Sequence, residues 1–430
     1  MFKGLLKKAE KTASNVASGH DNNKGHGKGG HGNGGRAGHG NGGKAGHGNG
    51  GKAGHGHGGK GAQGQGTGGA APVTTTIPNM GPGNPNAYQT PQALAVPGLA
   101  EPKFAQAGGK SRQSVAEPSC TIVNVAGLPV YVYGLEQLTP ARQGGVPEVC
   151  IAIHMHGRTG SAKKEDSLVR GLYRNTMAER LSLVGSPRVR DFLLVTFDQR
   201  NHGERRTNPL GQKSWKEGNA THGYVHDTYI SIDMYGMIHG TSIDVSLLTK
   251  LLPSYLFPND ERVVSLFAVT GKSLGGHAAW QVLAHEPLIR VGVTFIGTPD
   301  FQKLLAQRTK TSDLPNAPPQ VPQSLRAVIQ HIDPAQMPYQ RSDASNPFFG
   351  KKICSCSGED DHLVRWSFSE EFLKSVVVAP PGSEDASRGL EIFLQPNTGH
   401  EVTSESTYGD TLTPVLLLGG RWLAQWALVY

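Results

Sequence analysis

Cysteine is scarce in this sequence, with only four in 430 residues. So few cysteines in so long a chain do not make a disulfide framework. Cys354 and Cys356 are two residues apart in a predicted strand, where they would share one face, and such neighbours rarely bridge. We therefore expect the four cysteines to be small buried hydrophobic side chains in a reducing compartment, with the cytoplasm as the default location.

The sequence also lacks long hydrophobic runs. No stretch reaches about 18 consecutive apolar residues, so we predict no membrane-spanning helix. Residues 1–19 place Phe2, Leu5 and Leu6 roughly on one side of a helix, but lysines interrupt them, which is unlike a secretory signal. We expect a short amphipathic helix or a frayed basic leader here, and contact with a membrane surface or organelle targeting stays open.

An excess of charge of one sign is confined to the start of the chain. The formal net charge is +8. Residues 1–60 carry ten Lys or Arg and two acidic residues, and the remaining residues are balanced. The basic character therefore belongs to a tail and not to a folded face, and we expect no nucleic-acid partner.

Residues 20–110 have almost no apolar side chains in their first half and are rich in Pro, Ala and Gln in their second. An eight-residue repeat begins at Gly35, Gly43 and Gly51, and seven of the 18 histidines lie in this region. Nothing here offsets the entropy cost of ordering, so we predict a disordered tail and linker. Its imidazoles could bind divalent copper, nickel or zinc loosely, although a plain linker is the simpler interpretation.

From about residue 115 the sequence predicts one domain that extends to residue 430. Short, continuously apolar runs alternate with helical segments, which predicts a mostly parallel sheet with helices on both faces. Ligands of such sheets bind beyond the carboxyl ends of the strands. The predicted strands are 120–125, 130–133, 149–154, 192–197, 263–270, 291–296, 352–356 and 390–394, and the predicted helices are 243–256, 278–286 and 413–428.

Residues 271–275, Gly-Lys-Ser-Leu-Gly, are the only G-x-S-x-G match in the chain. A predicted strand precedes the match and a predicted helix follows it, which is the setting that a strained nucleophile elbow requires. The match in this setting resembles the α/β-hydrolase superfamily. That resemblance implies an α/β-hydrolase fold over residues 115–430, Ser273 as nucleophile, and the chain order nucleophile, acid, base.

A serine hydroxyl needs a base to remove its proton and an acid to orient that base. Only His362 and His400 follow the last predicted strands, and His362 adjoins the candidate acids, so elimination favours His400 as the base. The acid candidates after strand 352–356 are Glu359, Asp360 and Asp361.

The segment 358–364 resembles the superfamily motif G-x-x-D-x-x-V, which places the acid at Asp361 between Gly358 and Val364. Asp300 is a rival, because some members take their acid after an earlier strand, and Asp360 is a second rival.

Residues 154–160 follow a buried strand and resemble the superfamily's His-Gly-x oxyanion loop. By that resemblance the oxyanion donors are the backbone N–H groups of Arg158 and Leu274. The three-glycine loop of many lipases and esterases is absent, which disfavours bulky esters. His154 and His156 could instead begin a metal site, but no H-x-H-x-D-H or H-E-x-x-H accompanies them.

Two further segments bear on the site. Residues 299–350 lie between two predicted strands and are a candidate cap that shapes substrate access. Residues 197–203 resemble the superfamily's D-x-R-G-x-G turn, with Asn201 in place of a glycine; the simplest interpretation is a turn held by Asp198 and Arg200. Lys272 and Arg158 either favour an acidic substrate or face solvent.

Together these features favour a carboxylesterase-like serine hydrolase that needs no cofactor and no metal and acts on a small-molecule ester or acyl substrate. A serine peptidase or amidase, or an acyltransferase, would use the same residues. A metal-dependent hydrolase and an inactive hydrolase-like scaffold are the alternatives of a different class.

Overall fold

The computed structural model describes residues 115–140, 146–182, 189–214, 229–401 and 414–429. The predictions for the helix at 1–19, for the tail at 20–110 and for metal binding by the tail therefore lie outside the described residues. Among the described helices, none is both long and apolar enough to cross a membrane.

Eight strands form one sheet in the order β1-β2-β4-β3-β5-β6-β7-β8. Strand β2 is antiparallel to β1 and to β4, and the neighbouring strands from β4 to β8 are parallel. The predicted mostly parallel sheet is therefore confirmed. The strands are β1 Cys120–Val125, β2 Leu128–Tyr133, β3 Glu148–Met155, β4 Asp191–Phe197, β5 Val263–Lys272, β6 Ile289–Phe295, β7 Lys352–Gly358 and β8 Leu390–Gln395.

The described helices connect these strands or follow the last of them. They are α1 Asp166–Ser182, α2 Tyr229–Leu256, α3 Leu274–His285, α4 Phe301–Thr311, α5 Gln323–Ile332, α6 Glu370–Ser375, α7 Glu384–Arg388 and α8 Pro414–Leu423, which continues as a π-helix over Ala424–Leu428. Helices α4 and α5 lie in the predicted cap segment 299–350.

The sheet has a hydrophobic layer on each face because alternate residues of a strand point in opposite directions. On β3, Ile151 and Ile153 pack in the layer that contains residues of α2 and α3. Cys150 and Ala152 pack in the opposite layer with residues of α1 and α8. Burial on both faces explains why the central strands are continuously apolar instead of alternating.

Two predicted helices begin earlier in the structure than in the sequence prediction. The helix predicted from 278 begins at Leu274, directly after the candidate nucleophile, because Gly275 and Gly276 weaken the helical signal without preventing the helix. The helix predicted from 243 begins at Tyr229.

The prediction of four buried cysteines is wrong for Cys120, which is exposed. Cys120 begins β1, an edge strand whose first residues face solvent. The other three cysteines are buried and free. Cys354 and Cys356 share one face of β7, with their sulfur atoms 3.7 Å apart.

Candidate active site

Ser273 lies in the tight turn between β5 and α3. Its backbone has φ 53° and ψ −112°, a strained conformation for a residue with a side chain. The Ser273 N–H donates to the Phe295 carbonyl at 2.9 Å, and the Gly275 N–H donates to the His156 carbonyl at 3.1 Å. The turn is thereby fixed to the carboxyl ends of both strands that flank β5.

The glycines of the turn are required by close backbone contacts. A Cβ at Gly271 would overlap the carbonyl of Gly275, and a Cβ at Gly275 would overlap the carbonyls of Met155 and His156. Rigid backbone surrounds both positions, so no side-chain movement relieves the overlap.

The Gly275→Ala variant is expected to lose roughly 3 kcal/mol or more of the free energy of unfolding, because strand β3 or the turn must shift. The matched control is Gly236→Ala on α2, where an added Cβ meets nothing within 4 Å. Gly236→Ala should gain about 0.5–1 kcal/mol, since alanine favours the helix. Urea unfolding of both variants checks this, and equal stabilities would contradict the account of the turn.

Ser273, His400 and Asp361 form a continuous hydrogen-bonded chain. The Ser273 Oγ lies 2.9 Å from the His400 Nε2. The His400 Nδ1 lies 2.7 Å from the Asp361 Oδ2. His400 follows β8 and Asp361 follows β7, so the side chains converge at the carboxyl edge of the sheet from segments up to 127 residues apart in sequence.

The Asp361 carboxylate is held by its own loop. Its side chain is completely buried, and its Oδ1 accepts hydrogen bonds from the N–H groups of Leu363 at 2.8 Å and Val364 at 2.9 Å. Burial alone would raise the pKa of Asp361, but the hydrogen bond and charge of His400 and the two backbone donors outweigh burial and lower it. The carboxylate therefore remains ionised, and its Oδ2 is directed at His400.

Gly358, which begins this loop, lies directly against the loop that carries His400. A Cβ at Gly358 would overlap the carbonyls of Thr398 and Gly399. The Asp360 N–H also donates to the Thr398 carbonyl at 2.9 Å. The acid and base loops are therefore in backbone contact, which sets the distance between Asp361 and His400.

The rival acids lie elsewhere. Asp300 accepts the Lys303 N–H at 2.9 Å as the N-cap of α4, and it has an ion pair with the Lys303 Nζ at 3.5 Å. Asp360 is exposed. His362 is also exposed and lines a neighbouring cavity.

The loop after β3 approaches the nucleophile closely. A Cβ at Gly157 would lie 3.7 Å from the Cβ of Ser273, so Arg158, the next residue, begins beside the serine. Leu274, the other residue predicted as an oxyanion donor, is the first residue of α3. Leu274 directly follows Ser273, and Arg158 directly follows the glycine that lies beside it.

Glu165, just before α1, joins this loop to the turn. Its carboxylate forms an ion pair with the Lys272 Nζ at 3.0 Å and lies 3.5 Å from the Gly157 N–H. Lys272 is therefore directed toward a buried carboxylate and not toward solvent or a substrate. Sequence analysis missed Glu165, which is 107 residues away from Lys272.

His154 in β3 and His156 in the loop after it each form an internal hydrogen bond. The His156 Nε2 accepts the Gln199 N–H at 3.1 Å, which leaves its Nδ1 to donate to the Gly157 carbonyl at 2.8 Å. The His154 Nδ1 lies 2.8 Å from the Thr270 Oγ1. Within the described ranges, no group of three His, Cys, Asp or Glu side chains is arranged to hold a metal ion.

Two buried histidines near the turn make stability depend on pH. Burial lowers the pKa of His154 and of His277 to about 4. The His277 Nδ1 lies 3.0 Å from the Thr298 nitrogen and 3.2 Å from the Thr298 oxygen.

Acidification is expected to destabilise the fold through these histidines. Their folded pKa lies below the unfolded value, so between about pH 6.5 and 4 the unfolded state binds protons that the folded state does not. Each histidine should cost on the order of 3 kcal/mol across that window. Urea unfolding from pH 7 to pH 4 measures the loss, and His154→Gln should reduce the slope. A flat profile above pH 4 would contradict this account.

The turn at 197–203 is held by Asp198, and Arg200 pairs with a residue of α2 outside the turn. The Asp198 carboxylate accepts the Ala162 N–H at 2.8 Å and the Glu204 N–H at 2.7 Å. Arg200 pairs with Asp244 at 3.0 Å. Asn201 takes φ 58°, the left-handed conformation in which glycine is common, which explains the asparagine at that motif position.

A cavity of about 290 Å³ lies between the loop after β3, the acid loop and helix α4. Arg158 lines it from the β3 loop, His362 from the acid loop, and Phe301 and Arg308 from α4. The predicted cap segment thus contributes a wall of the cavity through α4. Sequence analysis did not single out Arg308, because the residue lies outside every motif.

The strand order, the turn after β5 and the loops after β7 and β8 define the class of the fold. A mostly parallel eight-stranded sheet has helices on both faces, a strained serine follows its central strand, and an acid and a histidine follow the last two strands. The described chain has the α/β-hydrolase fold, as the resemblance in the sequence implied.

The solved structures named below are distantly similar to this chain. No family model matches the sequence, and no curated protein matches it. Among solved structures, a Thermus thermophilus protein is 22% identical, with 72% of this chain and 98% of that chain covered and a TM-score of 0.47. A Pyrococcus furiosus esterase is 17% identical, with 72% of this chain and 93% of that chain covered and a TM-score of 0.39. A Pyrococcus horikoshii acylaminoacyl peptidase is 11% identical, with 72% of this chain and 40% of that chain covered and a TM-score of 0.40.

Proposed function

We propose that the protein is a serine hydrolase that cleaves a carboxylic ester through an acyl-enzyme on Ser273. The observation that carries this proposal is the continuous hydrogen-bonded chain from the Ser273 Oγ through His400 to Asp361. This arrangement supplies a nucleophile, a base within reach of its proton, and an acid that orients the base.

In the first step His400 removes the Ser273 proton at Nε2 while the Ser273 Oγ attacks the ester carbonyl carbon. The carbonyl oxygen becomes an oxyanion, which the backbone N–H groups of Leu274 and Arg158 stabilise. The tetrahedral intermediate then collapses. The bond to the alcohol oxygen breaks, His400 gives its proton to that oxygen, and the acyl group remains on Ser273.

In the second step water replaces the alcohol. His400 removes a proton from the water, the hydroxide attacks the acyl carbon, and the Ser273 oxygen leaves with the proton that His400 returns. Asp361 keeps the His400 Nδ1 protonated throughout, because its Oδ1 is held by the Leu363 and Val364 N–H groups and its Oδ2 therefore stays directed at His400.

A peptidase, an amidase and an acyltransferase would use the same groups and differ only in the leaving group or the acyl acceptor. Ester cleavage is proposed first because an alcohol leaves without the strong protonation that an amine requires. A metal-dependent hydrolase is not favoured, since His154 and His156 already have internal partners.

Inhibition tests the reaction class. A fluorophosphonate should abolish hydrolysis of p-nitrophenyl butyrate, because it phosphonylates the nucleophilic serine, and a chelator such as EDTA should leave the rate unchanged. Loss of activity with EDTA together with resistance to the fluorophosphonate would assign the protein to the metal-dependent class. Absence of ester hydrolysis together with absence of fluorophosphonate labelling would identify an inactive hydrolase-like scaffold.

A further inference from the structure

The proposed reaction gives no role to the 290 Å³ cavity that Arg158, His362 and residues of α4 line. Its walls come from the loop after β3, from helix α4 after β6 and from the loop after β7. These three strands lie on either side of β5 in the sheet order, so their carboxyl ends surround Ser273. Leu363, in the cavity wall, donates its N–H to Asp361 at 2.8 Å. The cavity therefore adjoins the loop that carries Asp361 and the loop after β3 that approaches Ser273.

The cavity is apolar along part of its wall and positively charged elsewhere. Its apolar residues include Met234, Phe301 and Leu304. Its charged residues are Arg158 and Arg308, and the described residues that line it include no carboxylate. An apolar chain that ends in an anion would complement both parts of this wall.

Arg308 is the residue of the cavity wall that most favours an anionic ligand. It is half-buried on α4 and forms no ion pair with any described carboxylate. Burial lowers the pKa of Arg308, and the charge of Asp361 offsets only part of that effect. Asp361 is itself committed to His400 and to two backbone donors. Removing part of the water around a guanidinium without an anion nearby costs free energy, which a ligand anion would recover.

We propose that this cavity binds a carboxylate of the substrate, so that the preferred ester carries an anionic group joined to a short apolar chain. The planar guanidinium group of Arg308 matches a carboxylate, which can accept two parallel hydrogen bonds. A volume of about 290 Å³ restricts the bound group to a small one. This inference rests on the proposed serine-hydrolase function.

Matched ester pairs test the proposal. One pair, mono-p-nitrophenyl adipate and p-nitrophenyl adipamate, differs only in a carboxylate or an amide at the end of the acyl part. The other pair, the butyrate esters of meta-hydroxybenzoate and meta-hydroxybenzamide, makes the same change in the alcohol part. After subtraction of uncatalysed hydrolysis, kcat/KM for the anionic member should exceed that for the neutral member by about 10- to 100-fold in one pair.

Arg308→Gln should reduce that ratio to within about threefold of unity, and Arg308→Lys should keep an intermediate ratio because the charge remains without the fork of donors. The matched control is Lys310→Gln, which removes a charge from an exposed position of the same helix outside the cavity. Lys310→Gln should keep the wild-type ratio.

Ratios near unity for both pairs in the wild type, or an unchanged ratio in Arg308→Gln, would overturn the proposal. If Arg308→Gln does not fold, inhibition of neutral-ester hydrolysis by free adipate but not by adipamide supports the proposal, and equal inhibition overturns it. Fluorophosphonate labelling of Ser273 separates failure of the proposed substrate class from failure of the proposed hydrolase function. Labelling without anion preference overturns only the substrate class, whereas no labelling and no turnover of any ester overturns the hydrolase function.

Discussion

Replacing Ser273 by alanine is expected to lower kcat for p-nitrophenyl butyrate by about 10⁴- to 10⁶-fold, because no acyl-enzyme can form without the Oγ. The free energy of unfolding should change little by comparison. The Ser273 Oγ has its hydrogen bond to His400, which is partly exposed and can bind water in its place. Steady-state kinetics with urea unfolding of the same preparation checks both expectations.

The control for Ser273→Ala is Ser342→Ala, an exposed serine in the loop before β7. Ser342→Ala should retain wild-type kcat. Turnover by Ser273→Ala within about tenfold of wild type would assign the hydrolysis to another group.

Replacing Asp361 by asparagine is expected to lower kcat by about 10³- to 10⁴-fold while the fold is retained. Asparagine offers an amide oxygen or an NH₂ group to the His400 Nδ1 and cannot stabilise the imidazolium that forms during attack. The Asp361 carboxylate accepts from Leu363, Val364 and His400, so the amide also disturbs the acid loop. Kinetics and melting temperature separate the loss of catalysis from the loss of stability.

Asp300→Asn is the matched comparison, since Asp300 is the rival acid in the same fold. Asparagine also caps helices well, so the Lys303 N–H keeps its acceptor and only a partly exposed ion pair is lost. We expect kcat to stay within about threefold of wild type. A larger loss in Asp300→Asn than in Asp361→Asn would move the acid to Asp300.

The sequence was sufficient for features that depend on neighbouring residues. The strand, the two glycines and the helix around Ser273 are contiguous, so the strained turn could be predicted from one segment. His400 was predicted by elimination among the histidines after the last strands, and Asp361 by the resemblance of its loop to the superfamily's acid motif; both loops follow the carboxyl ends of parallel strands, which share one edge of the sheet. The hydrogen-bond distances between them depend on loop contacts such as the one at Gly358, which no local pattern contains.

The features that sequence analysis missed depend on residues that are distant in the chain. Glu165 precedes helix α1. The helical spacing of Val169, Leu172 and Tyr173 is a signal that could have identified this helix. Nothing in that spacing predicts an ion pair with Lys272. Arg308 faces the cavity only because α4 crosses the carboxyl edge of the sheet, and the number of residues between β6 and β7 does not specify that path.

The most direct test of the account is the position of the covalent label after reaction with a fluorophosphonate. Peptide mass spectrometry of the inactivated protein should place one phosphonyl adduct on Ser273, in the peptide that contains the turn between β5 and α3, and Ser273→Ala should carry none. An adduct on another serine that accompanies the loss of ester hydrolysis, or labelling that survives Ser273→Ala, would contradict the account.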